Sequence, residues 1–152
     1  MGTCVFQSVI SSDICDWYEW EFKLNEWETN WAFEFGYVAT PITETIVNWN
    51  DAIGNNMKWD HYTINICVFD HFRLFGKNTE DQPVMKHDGN KFKITLTKGD
   101  RFRIRIDFKD KDIKIYYNDQ FVNSMYKNEI ADSVVAAVSI SGSITVTNTD
   151  YQ

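Results

Sequence analysis

Three histidines each sit beside an aspartate, as Asp60-His61, Asp70-His71 and His87-Asp88. Imidazole next to carboxylate is raw material for acid–base catalysis or for a metal site. Chain neighbours on a strand point to opposite faces, however, so adjacency alone makes no dyad. No zinc-type ligand spacing accompanies them, and they read as surface or loop histidines. Carboxylates come next: Glu19, Glu21, Glu26, Glu28, Glu34 and Glu44 crowd the first third of the chain. A glycosidase on a β-sandwich would hold two of them roughly 5–10 Å apart across a cleft. Glu19, Glu21 and Glu34 instead fall on the polar side of alternating segments, which reads as a solvated charged face. The sequence has no G-x-S-x-G and no H-E-x-x-H. Phe75-Gly76-Lys77-Asn78-Thr79 lacks the first glycine and the Lys-Ser/Thr adjacency of a phosphate loop. The expectation is a chain that is not an enzyme and holds no cofactor and no metal.

What remains is recognition chemistry. Residues 91 to 114 hold nine basic side chains, whereas the first sixty residues carry ten acids and two bases. Arg101, Arg103 and Arg105 form a stripe on one strand face, with Lys114 expected on the neighbouring strand. Such a stripe is either a basic patch for an acidic partner or phosphate, or a cross-strand ladder in which Glu19 and Glu21 oppose the arginines. Strand order decides between them. Trp27, Trp49, Trp59, Tyr126 and Tyr151 lie in or near expected connections. Loop Trp and Tyr are common anchors of binding surfaces and equally common lids on a core. The expected partner-binding set is Trp27, Trp49, Trp59, His61 and Tyr126.

The elements that must carry these side chains follow from hydropathy. Apolar residues alternate with polar ones along Tyr18–Leu24, Trp31–Tyr37, Phe92–Leu96, Phe102–Phe108 and Ile113–Tyr117. Val134, Ala136, Val138 and Ile140 continue the pattern, and Ile144 with Val146 close it. Period two buries one face of a strand and scatters around a helix. Half-buried antiparallel strands need a second layer, so the expected fold is all-β: two antiparallel sheets packed face to face, in one domain over residues 1–152. Asn118-Asp119 suits a tight hairpin because both residues tolerate positive φ. Asp88-Gly89-Asn90, Lys98-Gly99-Asp100, Lys109-Asp110-Lys111 and Ser141-Gly142-Ser143 mark further turns. One or two strands are expected between His61 and Phe75, with a break near Asp70-His71. Thr40 to Asp60 is less regular and reads as a short helical turn or a long loop.

Bulk properties bound the partner. A net charge of -7 argues against nucleic acid. No apolar run approaches membrane-spanning length. Cys4, Cys15 and Cys67 form no CxxC and leave one thiol unpaired, no N-x-[ST] sequon is present, and the first ten residues lack the features of a secretion signal. These point to a reducing, cytoplasmic setting. Phe6 stands where a myristoylation motif needs Ser or Thr, so Met1-Gly2-Thr3-Cys4 reads as an ordinary N-terminus leading into a strand.

Within this frame the chain resembles a SPRY/B30.2 domain, of the concanavalin-like jelly-roll group. Trp17-Tyr18-Glu19-Trp20-Glu21-Phe22 resembles that family's early "YYWEV" strand, and Trp31 to Val38 its next. Gly99-Asp100-Arg101-Phe102 through Phe108 resembles "GD-x-x-G-x-x-LD". Ile113 to Asp119 is similar to "xxSFYxNG", Val134 to Ser139 to "YPAVSL", and Ile144 to Thr147 to the closing strand. The glycine after "LD" is absent, "NG" is Asn118-Asp119, and Thr40 to Asn90 matches nothing in the family. The resemblance implies a non-enzymatic module that binds a protein or peptide through loops at one edge of the sandwich, as an adaptor or a ubiquitin-ligase substrate receptor. Galectin-like lectins share the architecture and a hairpin comparable with Ile115 to Phe121. Their His-Asn-Arg set followed by Trp-x-x-Glu is not found at fitting positions, so a carbohydrate-binding lectin-like domain is the alternative.

Overall fold

The computed structural model describes residues 2–28, 33–41, 60–67, 71–76 and 82–152. In chain order the strands are β1 (Gly2–Val5), β2 (Ile10–Ser11), β3 (Trp17–Trp27), β4 (Glu34–Ala39), β5 (His61–Cys67) and β6 (His71–Gly76). They continue with β7 (Gln82–Pro83), β8 (Arg101–Asp107), β9 (Asp112–Tyr117), β10 (Gln120–Met125), β11 (Ser133–Ile140) and β12 (Gly142–Tyr151). A seven-stranded sheet runs β1-β11-β4-β5-β6-β7, with β2 also on β11; a five-stranded sheet runs β10-β9-β8-β3-β12. Every pairing is antiparallel. The expected sandwich is therefore present, and among the described residues no helix is long and apolar enough to cross a membrane.

The alternating segments supply its interior. Trp20, Phe22, Leu24, Phe102, Ile104 and Ile106 of the smaller sheet are fully buried against Phe35, Tyr37, Ile64, Val134 and Ala136 of the larger. Phe22 meets Phe35 edge to face at 5.0 Å between centroids and stacks near Phe102 at 5.6 Å. Each such ring removes a large apolar area from water and adds a favourable ring-edge contact. Tyr37 reaches across the core, its hydroxyl donating to the carbonyl of Ile104 at 2.8 Å and of Tyr18 at 3.2 Å. Burial pushes that phenol well above its usual pKa, so it stays a donor.

Turn chemistry follows expectation. Asn118 and Asp119 have φ of 45° and 69° between β9 and β10, a hairpin that needs two left-handed residues. Two strands, β5 and β6, lie in the stretch from His61, and the expected break near Asp70-His71 falls on residues 68–70, outside the described residues, with His71 opening β6. Phe92 to Leu96 differs from expectation. It forms no strand; an isolated bridge joins Met85 to Lys91. Its neighbour β7 is two residues long and ends in Pro83, which has no N–H to give a ladder. The alternation still reports burial, since Phe92 is 6% exposed with Ile94 and Leu96 packed partly on the core. The Thr40 to Asp60 reading lies outside the described residues for 42–59.

Register lays one polar row across the larger sheet. Thr3 opposes Ser139, Ser139 opposes Glu34, Glu34 opposes Asn65, Asn65 opposes Arg73, and Arg73 opposes Pro83. The pairing of Met85 with Lys91, and of Val84 with Phe92 through a 2.9 Å hydrogen bond, continues that register and sets Lys93 opposite Pro83. Ser139, Glu34, Asn65, Arg73 and Lys93 alternate with core residues, so the row lies on the face of the sheet turned away from the core.

Candidate functional site

The arginine stripe lies on the outer face of the smaller sheet, and strand order sets its partners. β3 pairs with β8 so that Glu19 opposes Arg105 and Glu21 opposes Arg103. Glu19 accepts from Arg105 Nε at 2.9 Å and from Arg103 Nη1 at 3.4 Å. The two guanidinium groups also cover aromatic rings, Arg103 over Tyr116 at 4.0 Å and Arg105 over Trp17 at 3.9 Å. Arg101 pairs with Asp119 at 2.6 Å. Lys114 Nζ lies 3.2, 2.9 and 3.1 Å from Asp107, Asp110 and Asp112. Burial works to lower the Lys114 pKa, but hydrogen bonds to the three aspartates outweigh it and raise it well above the usual value. The only acidic triad close enough to hold a cation, among the described residues, is this one, and an ammonium already sits in it. The stripe is a charge-balanced ladder.

The expected partner-binding residues are scattered. Trp49 and Trp59 lie outside the described residues. Trp27 is half-buried and packs on the core. His61 is 6% exposed and Tyr126 is 4% exposed, so neither offers a ring to a partner. Tyr126 is instead a core residue with φ of 56°, its hydroxyl donating to the Thr63 carbonyl at 2.7 Å. Tyr151 is 66% exposed at the end of the outer strand β12. Glu34 departs from the solvated face expected for it. It is fully buried, and its carboxylate accepts from the Thr63 hydroxyl at 2.5 Å.

The polar row ends in a cleft. Phe72, Arg73, Pro83, Val84, Lys91, Phe92 and Lys93 line a cavity of about 170 Å³. Phe72, Val84 and Phe92 are the buried part of the lining, while Pro83, Lys91 and Lys93 are exposed and Arg73 is half-buried. Phe72 and Phe92 meet edge to face at 4.6 Å on the core side of the cleft. Lys91 and Lys93 form no ion pair among the described residues. Asn65 stands next in the row beside Arg73. A cavity of this size is below the roughly 300–1,000 Å³ of drug-sized pockets and has room for a single small ring or headgroup. Sequence reading missed this set. Lys91 and Lys93 were counted among the nine bases, but only the register shows that they share a face with Arg73.

Comparison with known proteins bears on what such a cleft is for. The profile of galactoside-binding lectins matches residues 20–151. The chain belongs to the galactoside-binding lectin family. No curated protein sequence matches this family member. Solved structures share its fold at low identity. The SPRY domain of human HERC1 is 12% identical over 96% of this chain and 82% of that one, with a TM-score of 0.62. The PSpry domain of TRIM65 is 10% identical, covering 97% and 72%, with a TM-score of 0.64. The carbohydrate recognition domain of Emp46p is 11% identical, covering 97% and 75%, with a TM-score of 0.60. The SPRY-like, concanavalin-like sandwich is thus the fold, and the sequence family is the lectin-like one. Both are types of binding module.

Proposed function

We propose that this lectin-family chain is a carbohydrate-recognition module whose ligand sits on the outer face of the larger sheet, at the β5–β6–β7 end. The observation that carries this is the outer-face row Asn65–Arg73–Pro83–Lys93 at the mouth of the cleft between β6, β7 and residues 91–93. A row of polar side chains offers hydrogen bonds for a sugar's substituents, and Pro83 between them offers an apolar surface for its C–H groups. The family match and the fold shared with the Emp46p carbohydrate recognition domain support the reading. The test is a glycan array probed with the purified chain and with Arg73→Gln. Saturable binding that the variant loses, at an unchanged melting temperature, is expected. Native protein that binds no glycan, or a variant that binds as well as native, overturns the proposal.

A second reading rests on a different surface. Phe121 is 40% exposed on β10 and is flanked by His87 at 5.9 Å and Tyr116 at 5.6 Å between ring centroids. An exposed aromatic cluster bordered by charge suits a protein or peptide partner, and SPRY domains are among the shared folds. Loss of a partner protein from Phe121→Ser, with glycan binding intact, would favour this reading.

A further inference from the structure

We propose that β12 is a self-association edge. Two copies of the chain pair this strand antiparallel about a two-fold axis between Thr147 and Asn148, which joins their five-stranded sheets into one. The inference concerns a different surface from the sugar cleft and does not depend on it.

A sheet edge is a row of backbone N–H and C=O groups ready to pair with another strand, and proteins blunt such edges by shortness, proline or a covering segment. Three of the four edges among the described strands are blunted in these ways. β1 has four residues. β7 has two and ends in Pro83. β10 has the segment 85–87 laid along it: the His87 N–H donates to the Val122 carbonyl at 2.8 Å, and Asn123 Nδ2 donates to the Met85 carbonyl at 3.0 Å. β12 is the fourth edge. It runs for ten residues, about 33 Å of strand. It contains neither proline nor lysine, and Ile144, Thr145, Val146, Thr147 and Thr149 are β-branched residues suited to pairing.

The side chains agree. Opposed residues of an antiparallel pair share a face. Ile144, Val146, Thr149 and Tyr151 oppose Leu24, Phe22, Trp20 and Tyr18, so they point to the core side. Val146 is nevertheless 44% exposed and Tyr151 66%, the margin of an apolar layer that ends in water. Ile14, also exposed, precedes Asp16, whose N–H donates to the Gln152 carbonyl just beyond Tyr151.

A bulge points to a second copy as the occupant. Thr147 and Asn148 both meet Glu21, Thr147 by a hydrogen bond at 2.8 Å and Asn148 by register. Alternation changes phase there, so core-side positions are even-numbered before the bulge and odd-numbered after it. An antiparallel strand of the same sequence, turned about that bulge, carries the complementary change of phase. Ile144 then faces Tyr151 of the second copy and Val146 faces its Thr149, core side on core side. On the outer side Thr145 faces Asp150 of the second copy, and no like charges meet. That acid ends a row that continues from Thr145 to Lys23 and Arg101, which adds charge complementarity. A two-fold pair is closed and leaves neither β12 edge free.

Sedimentation equilibrium of the purified chain over about 0.1–100 µM tests the proposal, and a monomer–dimer equilibrium is expected. Thr145→Asp sets two like-charge pairs against Asp150 of the other copy and is expected to weaken the dimer about fivefold. Thr145→Lys sets two opposite-charge pairs and is expected to tighten it about fivefold. Asn90→Asp and Asn90→Lys change net charge equally, in the turn that follows the 85–87 segment, and should leave the dissociation constant within about twofold of native. Thr145 and Asn90 are both exposed, and far-ultraviolet circular dichroism checks that each variant keeps the fold. A chain that stays monomeric across this range, or a dimer that responds to charge at position 145 no more than at position 90, overturns the proposal.

Discussion

Replacing Glu19 with glutamine isolates the charge that organises the outer face of the smaller sheet. The Glu19 side chain is 6% exposed, and its carboxylate touches Arg103 and Arg105, themselves 23% and 24% exposed. Glutamine keeps the shape and one acceptor oxygen but leaves two guanidinium groups without their shared anion. Removing one partner of a fully buried pair costs about 3–5 kcal/mol, and of a fully exposed pair about 0–1 kcal/mol. The arginines lie between these limits and keep their contacts with Tyr116 and Trp17. The expected loss is therefore about 2 kcal/mol, between the two limits. For a domain of this size that lowers the melting temperature by about 4–8 °C. Urea melts followed by tryptophan fluorescence, with calorimetry for the temperature shift, measure it. The loss should persist in concentrated salt, because buried pairs are screened little. Glu21→Gln is the internal control. Its carboxylate accepts from Thr147 in an exposed pair, and its loss should stay within about 0.5 kcal/mol. A Glu19→Gln variant as stable as native would refute the ladder and return the arginines to the pool of groups available to a partner.

Other consequences are equally direct. Tyr37→Phe removes a buried hydroxyl that bridges the two sheets and should cost about 1–2 kcal/mol in a urea melt. Gly36→Ala should cost at least about 2 kcal/mol or prevent folding, because the added Cβ runs into the Tyr62 carbonyl oxygen and lies 2.9 Å from the Thr63 Cα. Tyr117 is pushed up to about 12 by burial and by its hydrogen bond to Asp100. An acid whose folded pKa is raised binds its proton more tightly in the folded chain, so this stabilisation is complete below about pH 10, the unfolded value, and is lost as pH rises through about 12. Tyr117→Phe should flatten the fall of stability over that window, and an unchanged slope would contradict the assignment.

The fold was legible because its signal is local. Tyr18 to Leu24 and Phe102 to Phe108 alternate so regularly that only half-buried strands can use them, and Asn118-Asp119 names its own hairpin. Phe92 to Leu96 shows the limit of the same signal. Its alternation encodes burial, while the ladder depends on a short, proline-ended neighbour far away in sequence. The candidate site was much less legible. Asn65, Arg73, Pro83 and Lys93 come from separate segments, and each is unremarkable in its own neighbourhood. They become a row only when three pairings share one register. His61 and Tyr126 failed as surface anchors for the reverse reason: loop-like positions in the sequence are pulled into the interior by tertiary packing, with the Tyr126 hydroxyl held on the Thr63 carbonyl. The arginine stripe was open between two readings, and its partners became visible only through the pairing of β3 with β8, which sets Glu19 and Glu21 opposite Arg105 and Arg103.

The most direct test of the central claim asks where a sugar lands. Backbone amide and side-chain resonances of the isotopically labelled chain are followed while the best-binding oligosaccharide is added. The account predicts shifts confined to Asn65, Arg73, Val84, Lys91, Phe92 and Lys93, with Arg103, Arg105 and Lys114 on the opposite sheet unmoved. Shifts centred on the arginine ladder or on Phe121, with the β6–β7 cleft silent, would contradict it.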